Sequence, residues 1–381
     1  MATRRPASLA KAPAKRPTKT SRPKPVTRVT ACATAVGHVD LDFHDEDPAI
    51  DATPIGDDVS ALARLGDTLF CAADEGSAIE QLIWDGKAGR YGAHRCLPLA
   101  AVFDLPDGGD GEMDIEGMAI DGGWLWIVGS HSLKRSKLRD GDDLDQLPDI
   151  KADRNRCFLG RMPLVERVPG IFDPVARDGD RRAASLHIRK DGTNAIRRRL
   201  GKDALLAPFM RAPAKENGFD IEGIAVDGDR VFLGLRGPVI SKIALLVELC
   251  IVDGGRGGLK LGEVVEGAEY VLHPLLLDGL GVRDLLCVDG RLLILAGASM
   301  GLSGPQAVYA IDALPAQGQL VPRDRIHRLM CLPIVDGADH AEGIVLHTDG
   351  RTKRLMVVCD SPAAARRKNP RALRADLYPM P

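Results

Sequence analysis

Paired apolar runs dominate the chain from residue 58 onward. In each pair an acidic or equivalent residue precedes the first run, a glycine-containing turn follows it, and the second run ends in small or polar residues. Short apolar runs bounded by turn residues predict β-strands. Each pair therefore predicts a β-hairpin, and the copies begin at Asp58, Asp114, Asp220, Asp284 and His340.

The turns between the runs carry Gly66-Asp67 in the first copy and Asp-Gly at 121–122, 227–228, 289–290 and 349–350 in the others. Asp-Gly supplies the positive φ that a two-residue hairpin loop needs. One hairpin cannot bury both of its faces, whereas several hairpins arranged radially can, as in a β-propeller. The pattern therefore predicts an all-β propeller.

The spacing of the copies leaves the number of blades at five or six. The steps between them are 56, 106, 64 and 56 residues. The double-length step contains either a degenerate blade or a long insertion. Asn194–Met210 has helical composition, which favours an insertion with a helix over about residues 190–212. Ala35–Phe43 predicts a strand that closes the ring by pairing with Leu355–Cys359 or Ala372–Tyr378.

Charge separates the first 28 residues from the predicted propeller domain at 29–381. Residues 1–28 contain nine Lys or Arg, five prolines, no acidic residue and no apolar run. This composition predicts a disordered arm. The arm is either a solubilising tail or a weak contact for nucleic acid or an anionic surface. The whole chain has a net charge of −2, so the rest of it carries −11.

Two sequence features bear on location. The eight cysteines are scattered and none forms a Cys-x-x-Cys pair, which argues against a zinc site and is typical of the reducing cytoplasm. The most apolar stretches, such as Ala244–Val252, are shorter than the ~20 residues that cross a bilayer. We therefore expect a cytoplasmic protein without a transmembrane segment.

Two Glu-Gly copies carry a family resemblance. Asp-Ile-Glu-Gly at 114–117 with Gly-Ser-His-Ser at 129–132, and Phe-Asp-Ile-Glu-Gly at 219–223 with Leu-Arg-Gly-Pro at 235–238, resemble a bacterial family known as domain of unknown function 3616. The first unit, 60–70, fits the same family. More distantly, the repeated Glu-Gly units resemble the esterase-like phytase propellers. That likeness implies a propeller and phosphoester chemistry.

The repeats also predict a site. Counting back five residues from Asp121, Asp227 and Asp289 gives Glu116, Glu222 and Asp284, and matching the Glu-Gly pairs adds Glu342. The first strand of a propeller blade lines the central channel, so these carboxylates should form a ring at one mouth. A hard cation, Ca²⁺ or Mg²⁺, would neutralise such a ring. The predicted metal ligands are therefore Glu116, Glu222, Asp284 and Glu342.

Further side chains should reach the same mouth, because the second strand of a hairpin ends beside the start of the first. The predicted ligand-binding residues are Asp74, Asp114, His131, Asp220, Arg236 and Asp360. A register slip of one residue would move every such side chain to the opposite face.

Three interpretations of the carboxylates remain open. They could bond backbone amides of the neighbouring blade and tie the ring together. They could form the site of a binding propeller that takes a cation, a small molecule or a protein partner. They could also serve a metal-dependent phosphoester or ester hydrolase. Gly297–Gly301 matches a serine nucleophile elbow, but Gly301, Gly304 and Pro305 exclude the helix that the elbow requires.

Overall fold

The computed structural model describes residues 32–43, 55–136, 145, 147–301, 303–316, 318–369 and 371–380. The predicted arm at 1–28 lies outside these ranges. All eight cysteines lie inside them, and no disulfide links any two of them. None of the helices in the described ranges has the length and hydropathy needed to cross a membrane.

The described strands form five blades of a propeller, each with four strands in its main sheet. The first strand, β1 (Gly37–Asp42), belongs to the last blade. Blade 1 consists of β2 (Val59–Leu65), β3 (Thr68–Ala73), β4 (Ala78–Asp85) and β5 (Arg90–Pro98). Blade 2 and its extensions consist of β6 (Ile115–Asp121), β7 (Trp124–Gly129), β8 (Lys134–Arg135), β9 (Ile150–Lys151), β10 (Leu159–Val168), β11 (Ile171–Pro174), β12 (Arg177–Asp178), β13 (Arg181–Arg182) and β14 (Ala184–Leu186).

The remaining blades follow in chain order. Blade 3 consists of β15 (Asp220–Asp227), β16 (Arg230–Gly237), β17 (Ala244–Gly255), β18 (Gly258–Gly262) and β19 (Tyr270–Leu275). Blade 4 consists of β20 (Gly281–Val288), β21 (Arg291–Gly297), β22 (Gln306–Ile311) and β23 (Ile326–Leu332). Blade 5 consists of β24 (His340–Asp349), β25 (Thr352–Asp360), β26 (Arg367–Asn369), β27 (Ala372–Pro379) and β1.

The inner strands close a ring. Each of β2, β6, β15, β20 and β24 contacts the inner strand of the blade on either side. Strand β1 completes blade 5 by pairing antiparallel with β27, from Gly37 opposite Leu377 to Asp42 opposite Ala372. The predicted closure by the N-terminal strand is therefore confirmed. Its partner is the predicted segment Ala372–Tyr378 and not Leu355–Cys359.

The five predicted hairpins are present, and each has a two-residue loop. Their closing pairs are Leu65–Thr68, Asp121–Trp124, Asp227–Arg230, Val288–Arg291 and Asp349–Thr352. Gly228 and Gly290 take φ of 62° and 77° in these loops. Such φ values favour glycine, so the turn chemistry explains why the hairpins were visible in the sequence.

The long step between the second and third copies is an insertion and not a sixth blade. It contains the α-helix of the described chain, α1 (Ala195–Leu200), which is shorter than the predicted 194–210. Asn194 caps α1 by accepting the Arg197 N–H on its side chain. Single 3₁₀ turns occur at Ile55–Asp57, Leu99–Ala101, Arg154–Cys157, Ala207–Phe209, Ala214–Glu216, Arg323–Arg325 and Ala364–Arg366.

The hydrophobic core lies between the blades. Among the described residues there are five apolar clusters, one between each pair of neighbouring blades. Ile115 and Ile79 pack between blades 1 and 2, while Leu41 packs between blades 5 and 1. Because each cluster uses both neighbours, no blade buries its faces without the ring.

Candidate metal and ligand site at the channel mouth

The inner strands share an irregularity at one end of the channel. In every blade the antiparallel register shifts by one residue near the start of the inner strand. A β-bulge leaves one residue outside the ladder and redirects its side chain. On the inner strands the residues left unpaired are Ser60, Glu116, Glu222, Arg283 and Glu342. A second shift in blade 3 also leaves Arg236 of β16 unpaired.

This register corrects the alignment of the fourth copy by one residue. Asp121 and Asp227 are closing-pair residues of their hairpins, whereas Asp289 lies inside the loop that Val288 and Arg291 close. Aligning the Asp-Gly dipeptides therefore matched Asp284, and not Arg283, with Glu116 and Glu222. The bulged residue in blade 4 is Arg283, and Asp284 follows it back into the ladder.

Two arginines neutralise one side of the mouth. Arg236 pairs with Asp220 at 2.7 Å and with Glu222 at 2.5 Å. Arg283 pairs with Glu222 at 3.0 Å and also with Glu342. Burial raises the pKa of Glu222 to about 7, against the lowering effect of both guanidinium groups. The predicted metal ligands Glu222 and Glu342 are thus held by arginines, and Arg283 of blade 4 links blades 3 and 5.

Three carboxylates on the other side of the mouth lie together. One oxygen from each of Asp74, Asp114 and Glu116 lies within 4.8 Å of the others. We call these residues the carboxylate trio. Asp114 also pairs with Arg156 at 2.8 Å. The trio brings together two predicted ligand-binding residues and one predicted metal ligand.

Glu116 is the least compensated member of the trio. Its exposed fraction is 7%, and no described residue gives it a hydrogen bond or an ion pair. Burial raises the pKa of Glu116 well above its ordinary value, and Asp74 and Glu222 raise it further. Asp74 is similar, since its buried Oδ1 has no hydrogen-bond partner among the described residues. Burial and Asp114 raise the pKa of Asp74 well above its ordinary value.

Asp284 links its own blade to the neighbouring one by accepting backbone hydrogen bonds. Its Oδ2 accepts the N–H of Ile344 in blade 5 at 2.7 Å, and its Oδ1 accepts the N–H of Leu285 at 2.7 Å. Ser60 acts similarly in blade 1, because its hydroxyl donates to the carbonyl of Ile115 in blade 2 at 2.6 Å. These contacts match the interpretation in which the inner-strand residues tie the ring together.

His131 is enclosed in blade 2. Its Nδ1 bonds the carbonyl of Gly129 at 2.8 Å, so the Nδ1–H donates. Its Nε2 then accepts from the side-chain amide of Asn194 at 2.7 Å. Burial lowers the pKa of His131 to about 4. Neither ring nitrogen is left for a ligand, so the predicted ligand contact of His131 has no support in its geometry.

A cavity of about 170 Å³ opens beside the arginines. Arg236, Arg283 and Lys215 supply positive charge to its wall, which also contains His340 and the predicted ligand residue Asp360. Loop residues Ala298, Met300 and Gly301 form another part of the wall. No helix follows Ser299 in the described chain, as expected, and the next element is β22.

Sequence reasoning missed two residues of the mouth. Arg283 was missed because the alignment of the fourth copy was wrong by one residue, although Arg283 precedes Asp284 in the chain. Arg156 comes from the 3₁₀ turn Arg154–Cys157, which has no counterpart in the repeats. Burial would lower the pKa of Arg156, but Asp114 and Glu112 raise it, so the guanidinium stays charged.

Comparison with solved structures gives distant similarities. The allergen Mala s 1 of Malassezia sympodialis has 8% identity and a TM-score of 0.40, over 89% of this chain and 95% of that one. The exo-β-1,3-galactanase 1,3Gal43A of Clostridium thermocellum has 10% identity and a TM-score of 0.40, over 88% and 60%. Hydrazine synthase of Kuenenia stuttgartiensis has 10% identity and a TM-score of 0.33, over 83% and 59%.

Comparison with sequence families is more informative. No curated protein matches the chain. Residues 58–376 match the family described as Protein of unknown function (DUF3616), a span that includes the inner strands of all five described blades and the whole mouth. The resemblance found in the Glu-Gly repeats is therefore confirmed, and the chain belongs to this family.

Proposed function

We propose that the channel mouth is a binding site in which the carboxylate trio holds a divalent cation and the adjoining cavity takes a small anionic ligand. The observation that carries this proposal is Glu116, a buried carboxylate that lies beside Asp74 and Asp114. It has no hydrogen bond or ion pair with a described residue, and Arg236 is the cation that interacts with it electrostatically. Carboxylates that share a site cannot all stay ionised without a positive partner. Arg156 pairs with Asp114 alone among the three.

Calcium and magnesium are the cations that fit this donor set. Both take oxygen ligands, and carboxylates are their usual protein donors. The trio supplies fewer oxygens than the six to eight of a full calcium shell. The remaining positions would be filled by water or by the ligand itself, which is the usual arrangement where a cation bridges protein and ligand.

The cavity supports an anionic ligand. Lys215, Arg236 and Arg283 line it, while Asp360 and Glu342 limit the net positive charge. Arg236 and Arg283 already hold carboxylates of the ring, so they are positioned before a ligand arrives. A cation on the trio would add positive charge at the same mouth and strengthen anion binding.

Metal titration tests the proposal. After treatment with a chelator, Ca²⁺ or Mg²⁺ should raise the melting temperature of the wild-type protein and bind with measurable heat. Glu116→Gln should abolish both responses. It should also stabilise the metal-free protein by about 1 kcal/mol at pH 8, because it removes a buried unpaired charge at almost constant volume.

The matched control is Glu266→Gln, which removes a carboxylate at an exposed position. It should leave the metal response and the stability unchanged. A wild-type protein that neither binds these cations nor gains stability from them would refute the cation site.

Phosphoester hydrolysis is a second candidate function. It is favoured by the proximity of three cationic side chains, Lys215, Arg236 and Arg283, to the carboxylates of the mouth. A bound cation can polarise a phosphoryl oxygen and lower the pKa of a coordinated water. Turnover of bis(p-nitrophenyl) phosphate should then require added metal and be lost in Glu116→Gln. Metal binding without turnover would leave the binding function alone.

A further inference from the structure

A second cavity lies away from the channel mouth. It has a volume of about 630 Å³ and is enclosed by the loop after blade 1, the β12–β14 extension of blade 2 and the β17–β18 turn of blade 3. We call it the outer pocket. Cavities that bind small molecules have volumes of roughly 300–1,000 Å³, so the outer pocket has the size of a ligand site.

The floor of the outer pocket is apolar and ordered by aromatic packing. Phe103 and Phe158 are buried and meet edge to face, with ring centroids 4.9 Å apart. Ile188 extends the apolar surface and is half-buried. A floor of this kind favours the apolar body of a ligand, because burying it removes hydrocarbon from water.

The rim of the outer pocket is positive. Arg177, Arg182 and Arg256 are exposed on it, and the one acidic residue among the lining residues is Asp104. Within the described chain, the side chains of Arg182 and Arg256 have no ion-pair or hydrogen-bond partner. The chain beyond residue 28 is strongly acidic overall, so unpaired arginines around one cavity are a local exception to the charge of the domain.

The backbone holds one of these arginines in place. Gly255, Arg256 and Gly257 all have positive φ, at 79°, 54° and 80°. The turn is anchored to blade 2, because the N–H of Ser185 donates to the carbonyl of Gly257 at 3.3 Å and β14 pairs in parallel with β18. Arg256 is therefore carried on a glycine turn that is fixed across two blades.

We propose that the outer pocket binds a small amphiphilic anion, with an aromatic or similar apolar body on the phenylalanine floor and a carboxylate, phosphate or sulfonate group held by Arg182 and Arg256. Guanidinium groups suit such heads because their paired N–H donors match two oxygens of the anion. This inference uses no residue of the channel mouth and does not depend on the cation site.

The probe for the test is 8-anilinonaphthalene-1-sulfonate, used with the full chain in the presence of a chelator. Its fluorescence should show a single saturable site on the wild-type protein. The double variant Arg182→Gln/Arg256→Gln should bind it about tenfold more weakly or worse, because two charge-assisted contacts are lost. The control Arg198→Gln/Arg211→Gln makes the same change of net charge at exposed positions and should bind normally.

Two further experiments separate the contribution of the anionic group to binding from that of the apolar part of the ligand. The neutral probe N-phenyl-1-naphthylamine should bind the wild-type protein and the Arg182→Gln/Arg256→Gln variant with similar affinity. Ala176→Trp, which places a large side chain from an exposed wall residue into the cavity, should weaken both probes. Equal sulfonate binding by the two arginine double variants, or sulfonate binding that Ala176→Trp leaves unchanged, would overturn the proposal.

Discussion

Asp284 shows that a shift of one residue along a strand changes which groups a side chain contacts. It is almost fully buried, and both oxygens accept backbone N–H groups, one of them from the next blade. Burial raises the pKa of Asp284 well above its ordinary value, although the N–H of Ile344 acts in the opposite direction. Its preceding neighbour Arg283 turns into the channel instead and bridges two glutamates.

Asp284→Ala should therefore destabilise the protein by about 2–3 kcal/mol, because it leaves the buried N–H of Ile344 without an acceptor. Urea denaturation measures the loss. Asp227→Ala is the control, since Asp227 is exposed at the end of a neighbouring inner strand. An unchanged stability together with a lost response to Ca²⁺ would instead return Asp284 to the predicted metal ligands.

The enclosed imidazole of His131 predicts an acid-dependent stability. Burial holds its pKa at about 4 in the folded protein, against an ordinary value of 6.5. Between those values the unfolded chain binds a proton that the folded protein excludes, so stability is complete above pH 6.5 and falls as the pH drops towards 4. The shift corresponds to about 3 kcal/mol across that range.

The variant His131→Asn isolates this contribution. Asparagine tolerates the positive φ of 55° at this position better than most residues. The wild-type protein should be the more stable one at pH 7.5, and its advantage should shrink between pH 6.5 and 4 in urea titrations. A difference between the two proteins that stays constant over this range would contradict the assignment.

At the scale of elements, the inner strands approach one another at glycines. A Cβ on Gly117 would lie 2.9 Å from the backbone nitrogen of Ile224, and a Cβ on Gly223 would lie 2.9 Å from the Cα of Asp284. Both distances are too short for real carbon contacts. The Gly of the Glu-Gly pairs at 116–117 and 222–223 therefore allows neighbouring blades to meet beside the residue that faces the channel.

Gly117→Ala should cost about 1–3 kcal/mol of unfolding free energy, because the added methyl group forces blades 2 and 3 apart. Gly92→Ala is the matched control, as a Cβ on Gly92 would have no atom within 4 Å. Equal melting temperatures for the two variants would show that the inner strands adjust without strain.

Elements were predictable from the sequence where the signal was local. The Asp-Gly turns located four of the hairpins and Gly66-Asp67 located the other, because a two-residue loop depends on the residues inside it. The same signal failed for the register of β20, since Asp289 and Gly290 both lie in the loop whereas Asp121 precedes its loop. Each member of the trio was predicted at the mouth from its place in the repeat. The close approach of Asp74 to Glu116 was not predicted, because it crosses a blade boundary that no local pattern encodes.

At the scale of the whole molecule, the ring is closed by a strand from the beginning of the domain. Strand β1 pairs with β27 in blade 5 and touches β5 of blade 1 through Leu41 and Tyr91. Leu41 is fully buried in the cluster between these blades. Loss of this closure would expose two blade faces at once, so we expect the five blades to unfold together.

Leu41→Ala tests that cooperativity. It should lower the unfolding free energy by about 2–4 kcal/mol. In a Trp84→Phe background, which leaves Trp124 and Trp126 of blade 2 as the emitting tryptophans, fluorescence should follow the same shifted transition as the circular dichroism of all the sheets. Val36→Ala, at an exposed site just before β1, is the control. Separate transitions for the two signals would contradict a single cooperative ring.

The aligned bulges have a consequence for variation among related chains. Because the bulged residue takes no part in strand pairing, its chemistry can change while the scaffold stays as it is. This chain already carries a hydroxyl, a guanidinium group and three carboxylates at that one level. Mutation or engineering at these five positions could retune what the pore entrance recognises while the strand register stays the same. The bonds that Ser60 and Arg283 make to neighbouring blades would then have to be replaced.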